Sequence, residues 1–311
     1  MRCRERNMER LTHGRRAPLV CIVTFVVTIA GLIAIANAQL LETEGLSIYT
    51  GDPIERIGVK IGSWGSGKAE ESTQVAFMGT RSLRITSRGL YDGGRLDFST
   101  PLALGTYWED PSAYLQIVAR FRTSEESGYG GYSTFGTSSS VTRGKPVRRV
   151  RAVLVINGKF LEAQAPLSGC KVGEDGWVRV SYPIAVIKNK HEIVDPKLER
   201  LIITGDGTEP FYVGEIRIIS DKSPMRAYAG EDQFVAARDD VMFKATAETG
   251  AAVVRYSWDF DASDGIQEDA VGEVVYHQYR KPGEYTVTLT VSDIFGIKKP
   301  VTSTVKVTVY E

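Results

Sequence analysis

Beyond residue 38 the chain is written in short alternating runs. Leu83 and Ile85 share a face of Ser82–Thr86, and further runs of the same kind cover residues 114–121, 147–156, 177–182, 201–204 and 211–219. Near the end, Val287, Leu289 and Val291 alternate with Thr286, Thr288 and Thr290. Val301, Val305, Val307 and Val309 then alternate with Thr302, Thr304, Lys306 and Thr308. A period of two sends successive side chains to opposite faces, so each run predicts a strand with one buried and one wet face. Ile156-Asn157-Gly158-Lys159 predicts a two-residue hairpin, because Asn-Gly accepts the two positive φ values of a type I′ turn. Residues 196–198 are expected to begin a short helical turn. No long segment after residue 38 keeps a 3.6-residue period. Many short strands divided by Gly, Ser, Asp and Pro predict an all-β chain of sandwiches.

The first 38 residues differ. Arg2, Arg4, Arg6, Arg10, Arg15 and Arg16 precede an apolar run from Leu19 to Ala36, which ends at Ala36-Asn37-Ala38. A basic start, an apolar stretch and a small-x-small site predict a signal peptide over residues 1–38, cleaved before Gln39. Uncleaved, the run would be a single N-terminal membrane anchor. The expected location is secreted or otherwise extracytoplasmic. Of three cysteines, Cys3 and Cys21 lie in the leader, so Cys170 remains without an intramolecular disulfide partner.

Asp221-Lys222-Ser223-Pro224 is polar and contains Pro, and it separates two strand sets that can each close a core. The expected domains are residues 45–220 and 224–311. The 311-residue chain carries 38 basic and 38 acidic residues, but residues 39–311 carry 32 and 36. That excludes a chain-wide basic footprint for nucleic acid. Residues 224–311 hold 9 basic and 14 acidic residues.

In the second half, Tyr256, Trp258 and Phe260 share one face of a strand, which calls for burial between sheets. His277-x-Tyr279 follows, then Pro282-Gly283-Glu284-Tyr285-Thr286-Val287-Thr288-Leu289-Thr290-Val291-Ser292-Asp293. Together these segments resemble the PKD (polycystic kidney disease) domain family, an immunoglobulin-like β-sandwich. The resemblance implies a noncatalytic spacer or interaction module. The chain departs from the family at Asp261-Ala262-Ser263-Asp264-Gly265, a lengthened turn, and at residues 247–251. Asp259, Asp261, Asp264 and Asp269 offer oxygens at close spacing and form a candidate calcium site. The other reading is an ordinary Asp/Gly turn facing water. The Tyr-His-x-Tyr setting of His277 predicts a structural ring, hydrogen-bonded near a sandwich corner.

Residues 45–220 end on Phe211-Tyr212-Val213-Gly214-Glu215-Ile216-Arg217-Ile218-Ile219. This stretch, with Gly79-Thr80-Arg81-Ser82-Leu83-Arg84-Ile85, resembles galactose-binding-like jelly rolls. For secreted members, that resemblance implies carbohydrate binding. Sugar sites use aromatic rings as platforms beside a few polar groups. The candidates are Trp64, the pair Tyr107 and Trp108, and Tyr129, Tyr132 and Phe135 of a Gly/Ser-rich loop. Each could instead plug the sandwich. Trp177 is expected in the core. Arg143, Lys145, Arg148, Arg149 and Arg151 form a basic cluster, read as a solvated strand edge or as a contact for acidic polysaccharide.

No G-x-S-x-G elbow, H-E-x-x-H, Walker loop or dinucleotide fingerprint occurs. No catalytic residue is named. The expected function is a secreted noncatalytic protein that contacts a polysaccharide or cell-surface glycan through its first sandwich. The alternatives are a structural surface or matrix component without a small ligand and a hydrolase of unrecognised type, such as a glycoside hydrolase.

Overall fold

Strands form where side chains alternate, and the sheets follow from which faces are apolar. The structure is a computed structural model that describes residues 45–121, 144–173, 175–189 and 191–311. The predicted leader and Tyr129, Tyr132, Phe135 and Arg143 lie outside the described residues. Twelve strands build the first sandwich: β1 (Gly45–Tyr49), β2 (Val59–Trp64), β3 (Lys68–Ser72), β4 (Ser82–Thr86), β5 (Gly93–Ala103), β6 (Ala113–Arg120), β7 (Arg149–Ile156), β8 (Lys159–Pro166), β9 (Lys171–Val172), β10 (Trp177–Pro183), β11 (Lys197–Gly205) and β12 (Phe211–Ser220). One sheet runs β3-β4-β12-β6-β10-β9, with β1 also on β12, and the other runs β2-β5-β11-β7-β8. Every pairing in both is antiparallel. Leu83, Leu96, Leu115, Ile117, Leu154, Leu201 and Ile218 are among the wholly buried side chains between the layers.

The Asn157-Gly158 hairpin is present. Both residues have positive φ, 47° and 74°, and Ile156 pairs with Lys159 across the turn. The helical turn expected at residues 196–198 is instead the start of β11. The one α-helix among the described residues is α1 (Ile184–Lys188). Lys197 and Leu198 pair with Ala103 and Leu102 of β5, and that ladder outweighs the local Pro-Lys-Leu signal.

The second set is β13 (Arg226–Tyr228), β14 (Gln233–Ala236), β15 (Asp240–Lys244), β16 (Thr246–Glu248), β17 (Val254–Asp259), β18 (Ala270–Val271), β19 (Val274–Gln278), β20 (Gly283–Asp293) and β21 (Val301–Tyr310). One sheet runs β14-β21-β20-β17-β18, with β14 parallel to β21, and β15 pairs with β19. Val287, Leu289, Val291, Val305, Val307 and Val309 are buried around Trp258 and Phe243. The alternation of the last two strands is therefore the wall of this core.

The join between the cores is a packed contact. Val253, 1 % exposed, comes from the loop before β17 but belongs to the first core, and Phe295 packs against that core. Asp221 takes hydrogen bonds from the Ala251 N–H at 2.6 Å, the Ser223 N–H at 2.9 Å and the Lys298 ammonium at 2.6 Å. Lys298 also donates to the carbonyls of Ser223 at 2.8 Å and Thr249 at 3.1 Å. Gly250 has φ +59°, and a Cβ there would sit 2.2 Å from an Asp221 carboxylate oxygen, so a side chain at this position would break the contact.

Burial pushes the Asp221 carboxyl up, but the bonds from Ala251, Lys298 and Ser223 outweigh it, and the group titrates below the usual carboxylate range. A carboxyl lowered by folding stabilises above its unfolded value, about 3.9 for Asp, and that stability is lost as pH falls through the folded value. The pair is 10 % and 12 % exposed at its two side chains. Breaking such a buried pair from one side costs about 3–5 kcal/mol. Lys298→Met should lower unfolding free energy in urea by about 3 kcal/mol at neutral pH. The gap between the two proteins should narrow in acid as Asp221 becomes protonated.

Candidate functional site

The outer face of the β2-β5-β11-β7-β8 sheet carries an ordered lattice of side chains. Their neighbours Val59, Leu96, Leu201, Leu154 and Leu161 point into the core, so alternate residues point away from it. Register sets three rows. Lys60, Asp97, Arg200, Val155 and Phe160 make one, and Gly62, Arg95, Ile202, Val153 and Glu162 make the next. Trp64, Gly93, Thr204, Arg151 and Gln164 make the third.

This face is concave. Trp64 and Phe160 sit on the two edge strands with three strands between them, yet their ring centroids are 6.2 Å apart at 36°. Neighbouring strands are about 4.8 Å apart, so a flat sheet would hold these edges about 19 Å apart. Twist and curl bring the two opposite corners together over the middle of the face. Below them Ile202, Val153 and Val155 are 0 %, 3 % and 5 % exposed, although they belong to neither core cluster. They form an apolar floor. Tyr91, 69 % exposed, adds a third ring, with the Arg151 guanidinium carbon 5.0 Å from its centroid.

The polar groups of the face are mostly guanidinium and carboxylate. Arg151 donates from Nε to Glu162 at 3.1 Å and makes a second, shorter bond to the same oxygen. Asp97 accepts from Arg200 Nε at 2.5 Å. Arg95 Nε is 2.8 Å from the other Asp97 oxygen, but its N–H is not aimed there and has no hydrogen-bond partner. Arg151 Nη1 is likewise buried without one.

The structure separates the aromatic candidates. Trp64 is half-buried on the concave face and remains available. Trp108 does not. It is 2 % exposed, lies in the first core at the end of a 3-10 turn, and has Lys188 Nζ 5.5 Å from its ring centroid. Tyr107 is half-buried against the same core. These two rings close the sandwich, because the turn from Gly105 folds them inward. Trp177 is buried as expected, though on the outer face of the other sheet, against Phe77 at 5.4 Å.

Arg149 and Arg151 of the basic cluster do not lie on a strand edge. β7 lies between β11 and β8, so Arg149 and Arg151 face outward from an internal strand, and Arg151 is buried under Tyr91. Glu215 and Arg217 stand together on β12, where Arg217 donates to Gln116 Oε1 at 3.1 and 2.9 Å. Cys170 is half-buried beside Gly169. Burial pushes its thiol up to about 12, which keeps it protonated and unreactive.

The second sandwich is organised by its rings. Trp258 is wholly buried and donates from Nε1 to the Gly272 carbonyl at 2.9 Å. Phe243 touches both Trp258 and Phe260, and the Tyr279 hydroxyl donates to the Phe260 carbonyl at 3.1 Å. Residues 221–309 match the family model of the PKD domain. In this PKD domain His277 is structural, but stacking holds it. Its ring lies 4.2 Å from Phe260 at 20° and meets Tyr279 edge-on at 4.6 Å, and burial lowers its pKa.

The acidic turn of the PKD domain is built from hydrogen bonds to its own backbone. Asp259 accepts from the N–H groups of Asp261 at 2.9 Å and Gln267 at 2.6 Å, and Asp269 from Phe260 at 2.8 Å. Asp261 caps Ser263 at 3.1 Å. Among the described residues no three His, Cys, Asp or Glu side chains are grouped to hold a metal. Both Asp259 oxygens and one oxygen each of Asp261 and Asp269 thus accept backbone N–H groups within the turn.

Solved structures give distant likenesses. The CBM22-1–GH10 modules of Clostridium thermocellum xylanase 10B, complexed with xylohexaose, align over 63 % of this chain with 10 % identity and a TM-score of 0.32. This chain spans 34 % of that one. A CBM28 module specific for non-crystalline cellulose aligns over 56 % of this chain and 98 % of its own, at 15 % identity and TM-score 0.30. The M60 catalytic domain with CBM51 domains of Clostridium perfringens ZmpB aligns over 86 % of this chain and 23 % of its own, at 14 % identity and TM-score 0.24. Similarity this low carries no ligand across. No curated protein matches the chain.

Phe160, Tyr91, Arg95 and Arg200 complete the face and were not anticipated. One signal was available: Phe160 shares a face with Glu162 and Gln164, opposite Leu161, Ala163 and Ala165. A Phe on the polar side of a strand has no core to fill. The burial difference is testable by urea unfolding. Trp108→Ala should cost about 3–5 kcal/mol. Phe160→Ala, at a ring 56 % exposed, should cost under about 1 kcal/mol.

Proposed function

We propose that the chain is a noncatalytic glycan-binding protein. The polymer lies on the concave outer face of the five-stranded sheet. The observation that carries this reading is the meeting of Trp64 and Phe160 above an apolar floor, with Tyr91 and paired charged groups beside them. Pyranose rings offer flat C–H faces to aromatic side chains and a rim of hydroxyls to fixed donors and acceptors. Asp97 and Glu162 are each tied to arginine, so neither stands free as a general acid. The expected leader places this work outside the cytoplasm. The PKD domain is a spacer, and the buried Asp221–Lys298 contact makes it a stiff one.

Affinity electrophoresis of the chain in gels cast with soluble plant and microbial polysaccharides tests the reading. At least one polymer should retard it, and Trp64→Ala with Phe160→Ala should weaken binding by about tenfold or more, the effect of losing about 1.4 kcal/mol. No retardation by any polymer would favour a structural surface component. Release of reducing sugar would make the chain a hydrolase.

A further inference from the structure

Resting on that reading of the concave face, we infer that its ligand is a uronate-bearing, carboxylate-rich glycan rather than a neutral one. Four cationic side chains, Lys60, Arg95, Arg151 and Arg200, occupy these rows on β2, β5, β7 and β11, and Arg149 lies just beyond them on β7, where its backbone N–H donates to Asp206 at 3.0 Å. Two carboxylates, Asp97 and Glu162, share these rows, and a third, Glu199, sits at the β11 bulge next to Arg200. The first two are already taken: Asp97 by Arg200, with Arg95 beside it, and Glu162 by Arg151. What remains is a surplus of donors.

Two of those donors are conspicuous. Arg151 has a side chain only 9 % exposed, and its Nη1 has no hydrogen-bond partner. Arg95 Nε, buried in the adjacent row, is ion-paired with Asp97 at 2.8 Å but makes no hydrogen bond. A buried donor left unmade costs about 1–3 kcal/mol, and more when charged. The fold retains two on one face, beside exposed rings. A carboxylate accepts from guanidinium groups in a planar, charge-assisted geometry and brings no competing proton. A neutral hydroxyl supplies a weaker acceptor and a donor for which this face has little free acceptor. Tyr91 and Phe160 take the apolar side of the sugar while the arginines take its acid group.

The test compares polygalacturonate with the same polymer after methyl esterification, which removes the charge and keeps the backbone. Binding of the chain to each is measured by isothermal titration. The free acid should bind at least about tenfold more tightly, and the advantage should shrink between about 0.05 and 0.3 M salt. Arg151→Gln and Arg95→Gln should each erase most of it. Lys60→Gln, at an exposed position that cannot endanger folding, should reduce the salt dependence. Dextran sulfate serves as a sulfated competitor and should compete poorly.

Equal affinity for acid and ester, still lost with Phe160→Ala, would overturn the uronate assignment and leave glycan binding standing. Preference for the acid unchanged in all three charge variants would overturn it by placing the anion elsewhere. Dextran sulfate binding as tightly, with the same dependence on Arg151, would overturn it in favour of a general polyanion surface. Failure to bind any polymer would overturn this inference and the glycan reading together.

Discussion

The curl of one five-stranded sheet governs what the first sandwich can do. Its inner face is ordinary, with Leu96, Leu154 and Leu201 filling the core. Its outer face would be an unremarkable plane of mixed residues if it were flat, with Trp64 and Phe160 on opposite edges. Curvature brings those rings into contact and turns three apolar side chains of the middle strands into a floor. The paired arginines and carboxylates then become a rim held in place by neighbours on adjacent strands. The face acquires shape, apolar surface and directed polar groups from a single geometric cause.

The joint shows a comparable economy. A polar stretch around residue 221 carries the signature of a linker, but its aspartate side chain is largely buried and tied to Lys298 of the loop between β20 and β21. Val253 and Phe295 reach across into the first core. Residues 45–311 consequently pack as one compact unit. A PKD domain packed this way is held against the first sandwich rather than hung on a flexible tether.

How much was legible depended on whether a strand has one wet face. β20 and β21 have one, so Val287 to Val291 and Val305 to Val309 declared their alternation, and the PKD domain followed from it. In β7, the run Val150-Arg151-Ala152-Val153-Leu154-Val155-Ile156 is buried on both sides, so its outer floor residues could not be told from core. β3 is short and polar, and pairing rather than local preference makes it a strand. Of the rings proposed as platforms, Trp64 lies on the face, whereas Trp108 is turned inward by a 3-10 turn that leaves no mark in composition. Phe160 and Tyr91 meet Trp64 and Arg151 only through long-range register. In the acidic cluster, Asx-type bonds to the backbone two residues on fix Asp259 and Asp261, and a longer-range bond from Phe260 fixes Asp269, which the spacing alone did not show.

The contact between the two edge strands is the point on which the account turns. A nuclear Overhauser experiment on the chain with labelled tryptophan and phenylalanine, assigned by Trp64→Phe and Phe160→Leu, measures it directly. Cross-peaks between the Trp64 indole and the Phe160 ring protons are predicted. Their absence, with both rings showing only contacts within their own edge strands, would mean an open, flat face and would contradict the site.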